Sequence, residues 1–274
     1  MPHPPQPPEP PSWSAKHIIA VGAGKGGVGK STVAVMLAVG LARLGARTGL
    51  LDGDIYGPSM PTMLGLGGRQ PVVQEGRLLP FDVHGTSAIS LGALVEPESA
   101  LIWRGPKAHS AFQQLLMQST WGTLDYLIVD LPPGTGDVPL SLSQLVPLSG
   151  AVIVCTPQAV AQDDATRAIA MFRQLEVDIL GIVENMSIYI DDQGKEHDLF
   201  GRGGGRMLAD RTGTPFLGEL PLHPALRTNA DGGTPLNNWS INAGITEALD
   251  TLCRTLADAL AAKESDAPSV TVRE

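Results

Sequence analysis

Apolar residues come along this chain in short unbroken runs, separated by longer stretches in which they recur every three or four positions. The runs at 17–22, 46–52, 87–92, 125–131, 150–156, 179–185 and 215–220 predict strands. Hydrophobicity that is continuous rather than alternating marks strands covered on both faces. The periodic stretches at 30–44, 107–119, 161–175, 202–212 and 241–262 predict helices. Strand and helix taking turns in this way call for right-handed crossovers and a mostly parallel sheet with helices on both faces. The expectation is one α/β domain over residues 17–262. Residues 62–86, rich in glycine and proline, look like an insertion between core elements. The proline-rich residues 1–16 are expected to be a disordered extension, and 263–274 a flexible tail.

Composition narrows the class. Of 274 residues, 43% are hydrophobic and 17% charged, which is globular usage. The net charge of −9 opposes nonspecific binding to nucleic acid or anionic lipid. No apolar run approaches the roughly 20 residues a membrane-spanning helix needs. The N-terminus has no basic region followed by an apolar run, so it does not read as a signal peptide. Only two cysteines occur, Cys155 and Cys253, far apart in sequence. They suggest a reducing, cytoplasmic setting and no disulfide framework. Cys155 falls in an apolar run and Cys253 on the last helix, so both read as core.

The chemistry begins at Gly24-Lys25-Gly26-Gly27-Val28-Gly29-Lys30-Ser31, which fits G-x-x-x-x-G-K-[ST] at every fixed position. It follows a predicted strand and opens a predicted helix, the context that makes the pattern a phosphate site. Glycines let successive N–H groups curl around phosphate oxygens, and the helix N-terminus adds partial positive charge. Lys30 is expected on the β- and γ-phosphates and the Ser31 hydroxyl on Mg²⁺, with the cradle of ATP running from Gly24 through Thr32. Asp52 and Asp54 close the second strand at the sheet edge where ligands of such folds bind. Hydrolysis needs a group that positions the attacking water, and Asp54 is the candidate, expected on Mg²⁺ as well, with Asp52 as its neighbour or behind the Mg²⁺. Asp130 ends an apolar strand and is expected on Mg²⁺. Residues 132–137, Pro-Pro-Gly-Thr-Gly-Asp, follow as a loop placed to sense the γ-phosphate.

Lys25 is a second lysine early in the loop, and the string GKGGVGKST resembles the deviant phosphate loop of the MinD, ParA and nitrogenase iron-protein superfamily. The strings DGDIYGPSMP (52–61), WRGP (103–106), DYLIVDLPPGTGD (125–137), TPQAVAQDDA (156–165), VENMS (183–187) and FGRGGG (200–205) resemble the Mrp/ApbC group within it. The resemblance covers about residues 17–260. It implies a P-loop NTPase of the SIMIBI type and a slow ATPase that forms a homodimer across the nucleotide. It also implies Lys25 acting in trans, Asn185 contacting the adenine, and delivery of iron–sulfur clusters to apo-protein clients.

One part of the pattern is missing. Members usually carry Cys-x-x-Cys just after the ENMS segment, whereas residues 188–197 here contain no cysteine. An iron–sulfur cluster is therefore implied by the resemblance with no ligand evident in the chain. His197, Asp191, Asp192 and Glu196 are expected to form a polar turn around Asp-Gln-Gly. Asp163 and Asp164 are expected to cap a helix. His223 follows the last strand on the base side of the site, and Arg104 is a candidate contact for a partner. Beside the cluster carrier stand two other functions: a MinD/ParA-type scaffold on membrane or DNA, and an ATP switch that holds no cluster. The sequence 257–274 lacks a basic amphipathic helix for lipid, which weighs against the scaffold.

Overall fold

The computed structural model describes residues 13–54, 57–90, 92, 105–134, 136–191 and 193–266. The strands are β1 (Ser14–Gly22), β2 (Thr48–Asp52), β3 (Val72–Gln74), β4 (Arg77–Leu79), β5 (Phe81–Val83), β6 (Thr86–Ser90), β7 (Thr123–Asp130), β8 (Gly150–Cys155), β9 (Ile179–Ile190), β10 (Glu196–His197) and β11 (Phe216–Leu222). The helices are α1 (Lys30–Arg43), α2 (Met60–Met63), α3 (Gly105–Met117), α4 (Asp137–Leu145), α5 (Ala159–Gln174), α6 (Gly204–Thr212), α7 (Pro224–Asp231) and α8 (Ala243–Asp266), with a 3₁₀ turn at Pro235–Ser240.

Seven strands run parallel in the order β6-β2-β7-β1-β8-β9-β11, and each of the seven predicted runs is one of them. β5 adds antiparallel to the β6 edge and β10 to the far end of β9. The continuous apolar runs do what two-sided burial requires. On β1, Ile19 and Val21 enter the core beneath α1 and α8, while Ile18 and Ala20 enter the core beneath α3, α4, α5 and α6. Val33 to Leu41 of α1 are buried throughout, the pattern of a helix enclosed on all sides. Along α8, Ile245, Leu249, Leu252, Cys253, Leu256 and Leu260 face the core.

Several elements differ from expectation. β1 begins at Ser14, and the Trp13 indole N–H donates to Leu116 O at 2.8 Å, which ties the chain down ahead of residue 17. α8 continues to Asp266, with Lys263 paired to Asp178 and Glu264 to Lys16. The insertion at 62–86 contains a hairpin whose two-residue turn, Glu75-Gly76, has positive φ at both positions, the geometry that matches strand twist. α4 lies in a stretch for which no element is predicted, starting at the end of the loop expected at 132–137. α7 begins with Pro224 at its first turn, a position that costs no hydrogen bond, and His223 Nδ1 accepts the Ala225 N–H. α5 starts at Ala159, so Asp163 and Asp164 sit one turn inside it and do not cap it; Asp164 pairs instead with Arg167 at 2.7 Å. Residues 1–12, Trp103, Arg104 and 267–274 lie outside the described residues.

Candidate functional site

The carboxyl ends of β1, β7 and β2 meet at one edge of the sheet. There Val21 lies opposite Asp130, and Asp130 opposite Asp52. β1 leads into the glycine loop, and α1 starts directly from it at Lys30. Two of the loop's glycines are fixed by what they touch. A Cβ on Gly24 would stand 2.0 Å from the carbonyl of Asp164 on α5, and one on Gly29 2.1 Å from Asn185 Nδ2. Gly29 also holds a left-handed φ of 80°, which a side chain would strain. The loop is thus clamped between α5 and the middle of β9, where Asn185 Nδ2 donates to Val28 O at 2.9 Å. Pro133 of the following loop packs over Gly26, and Gly134 N–H donates to Ala23 O.

Lys30 is buried, with Nζ 2.5 Å from Asp130 Oδ1 and 3.3 Å from Ser31 Oγ. Asp130 is wholly enclosed, and its other oxygen, Oδ2, has no hydrogen-bond partner. Burial pushes its carboxyl up, against the pull of Lys30 and of a hydrogen bond with Ser31. Beside it Asp52, equally enclosed, is raised to about 7 by burial first and by the Asp130 charge second. Ser90 Oγ donates to Asp52 at 2.8 Å and the Asp54 N–H at 3.1 Å. Asp54 itself is half-buried and accepts the Gly57 N–H.

Lys25, Lys30, Ser31, Thr32, Asp54 and Pro133 share the walls of a cavity of about 240 Å³ with Gly26, Gly27 and Gly29. Val28, by contrast, turns into the core. Lys25 makes no ion pair among the described residues. A second, more apolar cavity of about 560 Å³ shares Thr32, Ser59 and Met63 with the first. Met36, Asn185, Met186, Leu222, His223 and Leu226 line it. Its size suits a drug-sized ligand, and apolar walls with a few polar groups are how such ligands are held. Met186 has φ of 57°, a strained backbone for a side chain of this kind, directly after Asn185. The sequence-predicted residues Lys25, Lys30, Ser31, Thr32, Asp54 and Asn185 therefore line two adjoining cavities, and Asp130 lies enclosed behind Lys30, outside both linings. Thr135 and the Asp137 side chain lie outside the described residues.

Sequence reasoning missed Ser90 and the methionines of the second cavity, for which no motif exists. It also missed Glu184, which is buried and accepts the N–H groups of Gly203 and Gly205 at the start of α6. Its carboxyl is raised by burial despite those donors. The Glu-Asn pair gives no sequence sign of this, because the two partners are 19 and 21 residues away.

Comparison with known proteins bears on the family and the fold. Residues 14–257 match the ParA family model described as NUBPL iron-transfer P-loop NTPase. A Deinococcus radiodurans protein named iron-sulfur cluster carrier protein is 54% identical, across 88% of this chain and 69% of its own length. An Escherichia coli protein of the same name is 47% identical, across 90% of this chain and 67% of its own. Among solved structures, a nucleotide-binding protein from Archaeoglobus fulgidus in complex with ADP superposes with a TM-score of 0.71 at 38% identity. That match covers 81% of this chain and 88% of the other. The cell-division ATPase MinD of Pyrococcus furiosus gives 0.67 at 21% identity over 89% and 99%, a likeness of fold.

Proposed function

This chain belongs to the NUBPL iron-transfer P-loop NTPase family, the Mrp/ApbC group, and from that premise we propose that it is an ATP-hydrolysing homodimer serving iron–sulfur cluster delivery to apo-protein clients. The observation that carries the ATPase reading is the convergence of Lys30, Ser31 and Asp54 on one cavity that adjoins an apolar one, with Asp130 enclosed behind Lys30 and paired to it. In this reading the phosphates lie in the first cavity and the base in the second. Lys30 leaves Asp130 for the β- and γ-phosphates, and the loop N–H groups take the remaining phosphate oxygens. Ser31, Asp54 and Asp130 would hold Mg²⁺, for which the unpartnered Asp130 Oδ2 is a fitting donor. Bound there, Mg²⁺ offsets the charge of the β- and γ-phosphates. Asp54 orients the attacking water and takes its proton. Asn185, inside β9 rather than at its end, lines the second cavity, where its amide can read the base edge.

Lys25 makes no ion pair among the described residues, which supports a role on the nucleotide of a second copy. Its replacement separates that role from binding. Lys25→Ala should keep ATP binding but lose turnover at least roughly a hundredfold, as expected for a cation supplied across an interface. Phosphate release, measured beside nucleotide binding and light scattering with ATP, checks this. Intact turnover in that variant would sink the trans role. A membrane scaffold is the weaker reading, since α8 spends its apolar stripe in the core. Among the described residues no helix is long and apolar enough to cross a membrane.

A further inference from the structure

Resting on that reading, we infer that this chain holds no iron–sulfur cluster on its own side chains, so the ligands of any cluster it helps move come from outside this chain. Iron–sulfur clusters are held by soft thiolates, several of them converging on one cluster. The whole chain has two cysteines, and the fold sets them on opposite sides of the central sheet. Cys155 ends β8 and packs in the core beneath α3 to α6. Cys253 packs on the other face against α1, where its Sγ lies 3.9 Å from Met36 O. Exposure is 0% at Cys155 and 1% at Cys253. Burial pushes both thiols up to about 12, the opposite of the electropositive, accessible setting that makes a thiolate ligand. Two copies side by side would still keep all four sulfurs inside their cores.

The hairpin where the family's paired cysteines are expected is closed on itself. β9 and β10 pair antiparallel through Tyr189 and Ile190, and Asp191 holds the turn between them. One Asp191 oxygen accepts the N–H groups of Gln193 and Lys195, both at 2.9 Å; the other meets His197 Nε2 at 2.7 Å. The carboxyl is held below its ordinary range, by His197 first and by those N–H donors. Its polar groups are spent on keeping the turn shut. Among the described residues no three of His, Cys, Asp and Glu come together as metal ligands.

The test is anaerobic reconstitution of the full chain with iron and sulfide, with and without Mg-ATP, followed by desalting. Bound iron and visible absorbance are read beside phosphate release on the same sample. We expect iron at the level of a Cys155→Ser/Cys253→Ser variant and no cluster absorbance, with hydrolysis intact. Stoichiometric iron with cluster absorbance in the natural chain would overturn the inference, whether or not the double variant retains it. That reading needs only the natural chain, so it stands even if the variant folds poorly. Absent phosphate release would instead defeat the proposed ATPase, while the iron content alone still judges the ligand question.

Discussion

The glycine-loop edge and the β9–β10 hairpin are both rich in carboxylates and cations, yet they are wired in opposite ways. At the loop edge, two enclosed carboxyls, Asp52 and Asp130, lie side by side; the buried Lys30 pairs with Asp130, and one Asp130 oxygen has no partner. At the hairpin, Asp191 is engaged through both oxygens by groups of its own turn. Enclosing charge that is not fully paired is costly, so a fold keeps such an arrangement where a ligand completes it. A turn that satisfies itself has nothing left to offer. The contrast separates the part of the molecule built to take a charged ligand from the part that only holds shape.

The sharpest way to break the contrast is to remove its central cation. Lys30→Ala should reduce phosphate release to background. It should also destabilise the nucleotide-free protein by roughly 3 kcal/mol, because an enclosed carboxylate loses its partner. The stability deficit should shrink in acid, where Asp130 becomes neutral and no longer needs the lysine. Urea unfolding at two pH values measures it; an equal deficit at both would mean the pair does not carry this charge. Gly24→Ala comes next, and acts by shape. Its methyl would meet α5 backbone at 2.0 Å, and backbone cannot rotate away as a side chain can. A loss of roughly 3 kcal/mol, with nucleotide binding gone, is expected from such overpacking. Unaltered binding by calorimetry would show that the loop is not clamped by α5.

A smaller effect separates the two carboxyls. Asp52 is raised to about 7 in the fold, against 3.8 for a free side chain. Between those values the folded chain holds a proton that the unfolded chain has released. Stability from this group is therefore greatest in acid and falls as pH rises toward 7. For the protein without nucleotide or metal, the fall is roughly 2 to 3 kcal/mol between pH 5 and pH 7. Asp52→Asn should flatten that slope while keeping the Ser90 contact. A slope unchanged in the variant would assign the titration elsewhere.

The parts of this design that were legible in sequence are those written locally. The continuous apolar runs located all seven parallel strands, and the glycine loop announced itself by fixed spacing. The turn around Asp191 was legible too, because Asp, Gln and Gly are neighbours there. What escaped depends on residues remote in sequence. Ser90 reaches Asp52 only because β6 pairs with β2, and Glu184 reaches Gly205 only because α6 packs back on β9. The start of α5 was misplaced by two residues, since Gln158 gives no side-chain capping bond to betray it. The second cavity is invisible to any motif, as its methionines come from three separate segments.

The least disruptive change tests the hairpin half of the comparison. Asp191→Ala removes the group on which the Gln193 and Lys195 N–H groups and His197 all converge. Because the turn lies near solvent, water can replace those bonds, so the melting temperature should fall only slightly. The difference should fade in acid: Asp191 is depressed below 3.8, so whatever stability it gives is present above that value and lost as pH falls through its lowered one. Amide exchange at Gln193 and Lys195 should speed up, while phosphate release stays at the natural level. If hydrolysis fell along with the turn, the hairpin would be coupled to the nucleotide edge through β9. Asn185 and its hold on Val28 would be the path, and the two regions would have to be treated as one device.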